Sequence, residues 1–223
     1  MQLGKIKEAQ AISPDYYMVP PIDRRLTVES DRFSELSNMF AQAGNLERAL
    51  EYALRCADIE KQVAGKEHIW YGNSTIIIGN LYYALGDSIN AEENYLINKN
   101  ICKHTYGEYS ERYVDALLSL ASVNTDFSMK DGLDKATRYL DEAYSIAHKR
   151  YPLLEAQIVN QQSVIAFRNK HYEQAKTLMM QALSLCELAE GKTSNNYEIL
   201  LSNTIDLYQM FGQYDEAITL GQD

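Results

Sequence analysis

One small residue opens a helix in five successive stretches of the chain: Ala49, Ala91, Ala136, Ala175 and Ala217, at steps of 42, 45, 39 and 42 residues. Self-similarity at such a period restricts the chain to a stacked repeat architecture. A lone pair of short helices cannot bury its own apolar face and must lean on the next pair. The clearest copy runs from Tyr71 to Asn98. It reads as two helices and a tight turn. Ile78, Gly79 and Tyr82 cluster on the first helix, and Ala91, Tyr95 and Asn98 share one face of the second at i, i+4 and i+7. Gly79 is expected to let a neighbouring helix come close, and Gly86 to take the positive φ that ends a helix. The fold class is all-α.

These residues resemble the tetratricopeptide repeat, in its 42-residue kinesin-light-chain-like variant, which is also common in bacterial proteins. The matching positions are Ile78, Gly79 and Tyr82, then Gly86-Asp87, then Ala91 and Tyr95. Gly65-Lys66-Glu67-His68 with Tyr71, and Gly107-Glu108 with Tyr113, resemble that variant's inter-repeat segment, although both lack its proline. The resemblance covers roughly residues 32–223. It implies a right-handed α-solenoid of about five helix-turn-helix pairs, with first helices lining a concave groove.

Along the chain, residues 1–25 form one segment and 26–223 the repeat array. Met1 to Ile12 resembles the turn and second-helix start of a degenerate repeat, with a plain N-terminal helix as the alternative. Ser13 to Arg25 holds Pro14, Pro20 and Pro21 and reads as a connector, since consecutive prolines forbid helix. Tyr16, Tyr17 and Met18 could pack back onto the first helices. Repeat one spans helices from about Glu29 to Ala43 and Leu46 to Ala64. Repeat three has an enlarged turn around Phe127 to Gly132 and a second helix expected from Asp131 to Arg150. Pro152 suits the first turn of repeat four's first helix. Trp70 reads as packing between repeats, and His68 and His104 as solvated residues near inter-repeat turns. Repeat five is expected to be truncated at Asp223, which suggests a fragment of a larger protein.

Composition sets exclusions. With 21 basic and 31 acidic residues the net charge is −10, which disfavours nucleic acid or an anionic membrane as the main partner. No apolar run is long enough to span a membrane, and the N-terminus lacks a signal-peptide core. Cys56, Cys102 and Cys186 read as buried free thiols of a reducing, cytoplasmic compartment, because Cys102 and Cys186 lie two repeats apart. No metal-ligand spacing, phosphate loop or nucleophile elbow occurs. The chain is therefore expected to be no enzyme and to carry no catalytic residue, metal or cofactor.

The resemblance directs attention to the first-helix positions that do not pack inward. These are Asn38 in repeat one, Asn73, Ile76, Asn80 and Tyr83 in repeat two, and Leu118 and Ser122 in repeat three. Repeat four adds Asn160, Gln161, Val164 and Phe167, and repeat five adds Asn203. Carboxamides donate and accept at once, which suits a peptide backbone, and the apolar members would choose side chains. Arg168 is the only cation placed near this surface in the middle repeats, so no lysine–arginine clamp for a terminal carboxylate is expected. The expected function is protein–protein interaction with a peptide or protein partner. Two alternatives stand beside it: a regulatory arm of an enzyme beyond residue 223, such as a CHAT-type peptidase or a sensor kinase, and a scaffold that self-associates through its uncapped C-terminal repeat. Tyr214 to Gly221 resembles repeats that precede CHAT domains.

Overall fold

The structure, a computed structural model, describes residues 24–126 and 131–222. The degenerate repeat, the proline connector down to Asp23 and most of the repeat-three turn lie outside the described residues. Among those described there are ten helices and no strand. Helices α1 (Arg24–Gln42) and α2 (Leu46–Ala64) make repeat one; α3 (Ile69–Ala84) and α4 (Ser88–Tyr106) make repeat two. Helices α5 (Glu111–Asp126) and α6 (Gly132–Ala147) make repeat three; α7 (Pro152–Arg168) and α8 (Tyr172–Glu190) make repeat four. Repeat five is α9 (Asn195–Met210) and α10 (Tyr214–Leu220). Helix α1 begins earlier than the expected Glu29, because nothing between Arg24 and Glu29 breaks a helix. The chain divides into two compact units, Met1–Ala116 and Leu117–Asp223.

Each repeat is held by a close crossing. Ala49, Ala91, Ala136 and Ala175 are fully buried at 0% exposure, and Ala217 is at 4%. Opposite them the first helices also carry small residues: Ser37, Gly79, Ala121 and Ser163 are all buried. Where the first helix is smallest, the second is largest. A methyl group on Gly79 would lie 2.6 Å from the Tyr95 ring, so this glycine is required by the aromatic that lies against it. Around these crossings the core fills with ordinary apolar side chains. In the first unit Ala53, Ala57, Ile78 and Leu81 form one cluster; in the second, Ala156, Leu183, Cys186, Tyr197 and Leu200 form another.

The turns follow the same register. The residue five before each crossing alanine has positive φ: Gly44 at 78°, Gly86 at 83°, Asp131 at 58°, Lys170 at 63° and Gly212 at 71°. Three repeats use glycine, whereas repeats three and four hold an L-residue in a region that favours glycine. Asn45 and Asp87 then cap α2 and α4 by accepting from Arg48 N and Asn90 N. Hydrogen bonds from the Asn90 side chain and backbone lower the Asp87 pKa. His68, expected to be solvated, is instead half-buried: its Nδ1 accepts from Trp70 N at 3.2 Å and caps α3.

Between repeats, Gly65, Gly107 and Gly191 adopt φ of 96°, 88° and 83° with ψ of 159°, 162° and 167°. That combination is accessible essentially to glycine alone. The fourth member of this series, 42 residues from its neighbours, is Lys149, with φ of 59°. Here the junction is rebuilt. Glu155 is buried at 5% exposure where Tyr71, Tyr113 and Tyr197 stand in the other repeats. Its Oε2 accepts from Lys149 N at 2.9 Å and its Oε1 lies 2.7 Å from His148 Nδ1. The two substitutions belong together, since the carboxylate holds the backbone that the lysine bends.

Repeat three also balances. Its turn is enlarged, but α6 has 16 residues where α2, α4 and α8 have 19 each. Helix α6 therefore ends at Ala147 rather than near Arg150. The 45-residue step and the 39-residue step that follows are one insertion and one deletion, and the junctions keep their 42-residue spacing.

Two stability changes are expected. Lys170→Gly removes left-handed strain of about 1 kcal/mol and raises Tm by roughly 2–4 °C in a circular-dichroism melt. Glu155→Ala leaves Lys149 N without its acceptor and lowers stability by about 1.5–3 kcal/mol, read by urea unfolding.

Candidate partner-binding surface

In the first unit the residues singled out on α1 and α3 are differently placed. Asn38, Asn73 and Asn80 are exposed, and Ile76 and Tyr83 are half-buried. Asn73, Ile76, Asn80 and Tyr83 share one α3 face by helical spacing. Asn80 is not wholly free. Its Oδ1 accepts from the Tyr95 hydroxyl at 2.8 Å, across the α3–α4 pair. Burial, with a smaller contribution from Tyr83, pushes the Tyr95 phenol well above its ordinary pKa, so the hydroxyl stays a donor. The amide is thereby oriented, with its Nδ2 hydrogens left for another acceptor.

The second unit contains the more enclosed arrangement. Leu118 is buried at 6% exposure and presents no free surface. Ser122, Asn160, Gln161, Val164 and Phe167 are half-buried, and Asn203 is exposed. Gln161 Nε2 donates to Ser122 Oγ at 2.9 Å and reaches Leu118 O at 3.4 Å. Gln161 Oε1 and Asn160 Oδ1 are buried without a hydrogen-bond partner. An acceptor left in that state costs about 1–3 kcal/mol.

Val164, Phe167 and Asn203 converge on one cavity of about 180 Å³, together with Ser163, Met179, Asp206, Leu207 and Met210. The α9 contributors, Asn203, Asp206, Leu207 and Met210, recur at i, i+3, i+4 and i+7, so the helical pattern around Asn203 carried the signal for the other three. Met179 comes from α8, four residues after Ala175, and forms part of the wall beneath Ser163. The lining is thioether, aliphatic and aromatic, with Asn203 and Asp206 as its polar rim. Arg168, the cation expected nearest this surface, is paired with Asp126 at 3.1 Å. Among the described residues no group of three or more histidines, cysteines or carboxylates could hold a metal ion.

Residues 31–69 match the family described as Tetratricopeptide repeat. The fold is the tetratricopeptide-repeat fold. It is similar to kinesin-light-chain TPR-like repeats from Podosopora anserina, with a TM-score of 0.66 at 18% identity, covering 89% of this chain and 92% of that one. It is similar also to a Rap protein complexed with Competence and Sporulation Factor, with a TM-score of 0.71 at 15% identity, covering 86% of this chain and 52% of that one. BtubC (BKLC) from P. vanneervenii superposes with a TM-score of 0.57 at 14% identity, covering 89% of each chain. No curated protein matches the chain. Tetratricopeptide-repeat folds are generally protein–protein interaction modules rather than enzymes. No helix among the described residues is long and apolar enough to cross a membrane.

The Tyr95–Asn80 link has a measurable consequence in alkali. A phenol whose folded pKa lies above the unfolded value near 10 contributes stability below pH ~10, which is lost as pH rises through the folded pKa. Absorbance titration is expected to show Tyr95 silent while exposed tyrosines ionise. Tyr95→Phe should lower stability by about 1 kcal/mol at neutral pH and shift the Asn80 side-chain amide resonances.

Proposed function

We propose that the chain is a protein-interaction module that holds an extended peptide on α7 and α9 of the second unit. The observation that supports this most is the shared cavity of Val164, Phe167, Leu207 and Met210, with Asn203 and Asp206 at its rim. Its volume suits one leucine- or methionine-sized side chain. Asn203 supplies a donor and an acceptor to the ligand main chain, as an exposed carboxamide can. Asn160 Oδ1 and Gln161 Oε1 supply acceptors for backbone N–H groups once small side-chain adjustments uncover them. Asp206 favours a ligand whose neighbouring residue is basic, in keeping with the chain's negative balance. The presence of the Rap complex among similar structures is compatible with a surface of this fold serving recognition. The exposed amides Asn38, Asn73 and Asn80 of the first unit are proposed as a second, shallower set of main-chain contacts.

Peptide phage display against the whole protein tests this reading. Enriched sequences are expected to share one aliphatic or methionine residue beside a lysine or arginine. Val164→Glu, which puts a charge into the cavity, should weaken the best peptide more than tenfold in fluorescence anisotropy. Asn203→Ala should weaken it about fivefold, the loss of one hydrogen bond worth about 1 kcal/mol. Unchanged affinity in a folded Val164→Glu variant would exclude the cavity as the seat. Unchanged affinity in Asn38→Ala/Asn80→Ala would confine recognition to the second unit.

A further inference from the structure

A second cavity, of about 280 Å³, lies in the first unit at the far end of repeat one. It is lined by Thr27, Ser30 and Asp31 of α1, Ile59, Glu60 and Val63 of α2, and Trp70 of α3. Its chemistry is out of step with the repeat. Glu60 stands eleven residues after Ala49, the register at which the other second helices carry Cys102, Ala147 and Cys186, all buried and small. Ser74 stands where Ala116, Ile158 and Leu200 form core. Ser30 stands where Gly72, Val114 and Ala156 are buried.

These departures meet one another. Ser74 Oγ donates to Glu60 Oε2 at 2.6 Å, and Ser30 Oγ lies 3.3 Å from the Cys56 thiol. Burial raises the pKa of Glu60, the nearby charge of Asp31 raises it further, and the Ser74 hydrogen bond opposes both. Among the described residues no basic side chain pairs with either carboxylate. A polar cluster at apolar positions lowers stability unless something answers it, because a half-buried carboxylate without a counter-charge loses hydration. The rest of the lining says what would answer it. Ile59 and Val63 give an apolar strip for an alkyl stem. Trp70 gives an indole, the side chain that attracts cations best. Two carboxylates converge on the same space.

We propose that this cavity is a binding site for one alkylammonium or alkylguanidinium group, supplied by a lysine or arginine side chain of a protein partner. The charge-assisted hydrogen bonds go to Glu60 and Asp31, and the stem lies along Ile59 and Val63 beside Trp70. The site is separate from the cavity of the second unit, and its assignment does not depend on that one.

Trp70 is the single tryptophan of the chain, so its fluorescence reports on the cavity directly. The whole protein is titrated with the N-acetyl methylamides of lysine and arginine. The citrulline counterpart serves as neutral isostere of arginine. A saturable Trp70 response to the two cations is expected, with citrulline at least tenfold weaker. Glu60→Gln should weaken the lysine probe at least tenfold, with a circular-dichroism melt no lower than that of the wild type. Should Glu60→Gln fail to fold, Asp31→Asn, at an exposed position, is expected to weaken it severalfold. No saturable response, an equal response to citrulline, or wild-type affinity in the folded variants would overturn the proposal. A parallel titration with n-butylamine separates the sources. Tighter binding of the capped lysine assigns the cation to a peptide chain; tighter binding of the free amine overturns the partner assignment.

Discussion

Everything in this structure depends on helices crossing at a residue too small to keep them apart. The burial of Ala49, Ala91, Ala136 and Ala175 at 0% exposure fixes the distance between the two helices of a pair. That distance decides what else fits. Tyr95 can lie flat against α3 because position 79 has no side chain, and the hydroxyl at the far end of the ring then reaches Asn80. A packing constraint thus sets the orientation of a surface amide. In the second unit the equivalent crossing places Met179 against Ser163, and that thioether becomes part of a cavity wall.

A strict register also works as a ruler for departures. Lys149 replaces a glycine, and Glu155 replaces a tyrosine in a position to hold the resulting turn. Repeat three lengthens its turn and shortens α6. Each change has its compensation close by, across the junction that follows repeat three or within repeat three itself, so each reads as a structural repair. The Ser30, Glu60 and Ser74 group differs. Its members hydrogen-bond with one another or with Cys56, yet Glu60, like the nearby Asp31, faces a cavity where no basic side chain among the described residues pairs with it. An uncompensated departure is where function is the better explanation.

The repeat was legible in the sequence because its period is carried by small residues and glycine, whose roles are steric. The register of alanines, the glycine turn at Gly86 and the proline start of α7 all followed from single-residue chemistry. Less legible were positions where an ordinary residue takes an unusual conformation, such as Asp131 and Lys170, since nothing in an aspartate or a lysine signals positive φ. The cap formed by His68 was missed for a similar reason: an imidazole rarely replaces serine or aspartate there. Among the surface residues, helical spacing gives the face but not its depth. Leu118 shares a face with Ser122 by sequence, and only packing shows that it is buried. The Glu60 cavity was within reach, because Cys102 and Cys186 already marked its register, but two serines distant in sequence gave no sign that they converge there.

The central claim is that the polar group around Glu60 lowers the stability of repeat one and is kept for what it binds. Thermal unfolding of a Glu60→Cys/Ser74→Ala variant, which installs the residues that other repeats carry at these registers, tests it most directly. The account predicts a higher Tm, by roughly 2–4 °C for each kcal/mol recovered. A lower Tm would mean that the carboxylate and hydroxyl hold repeat one together, and would contradict the claim.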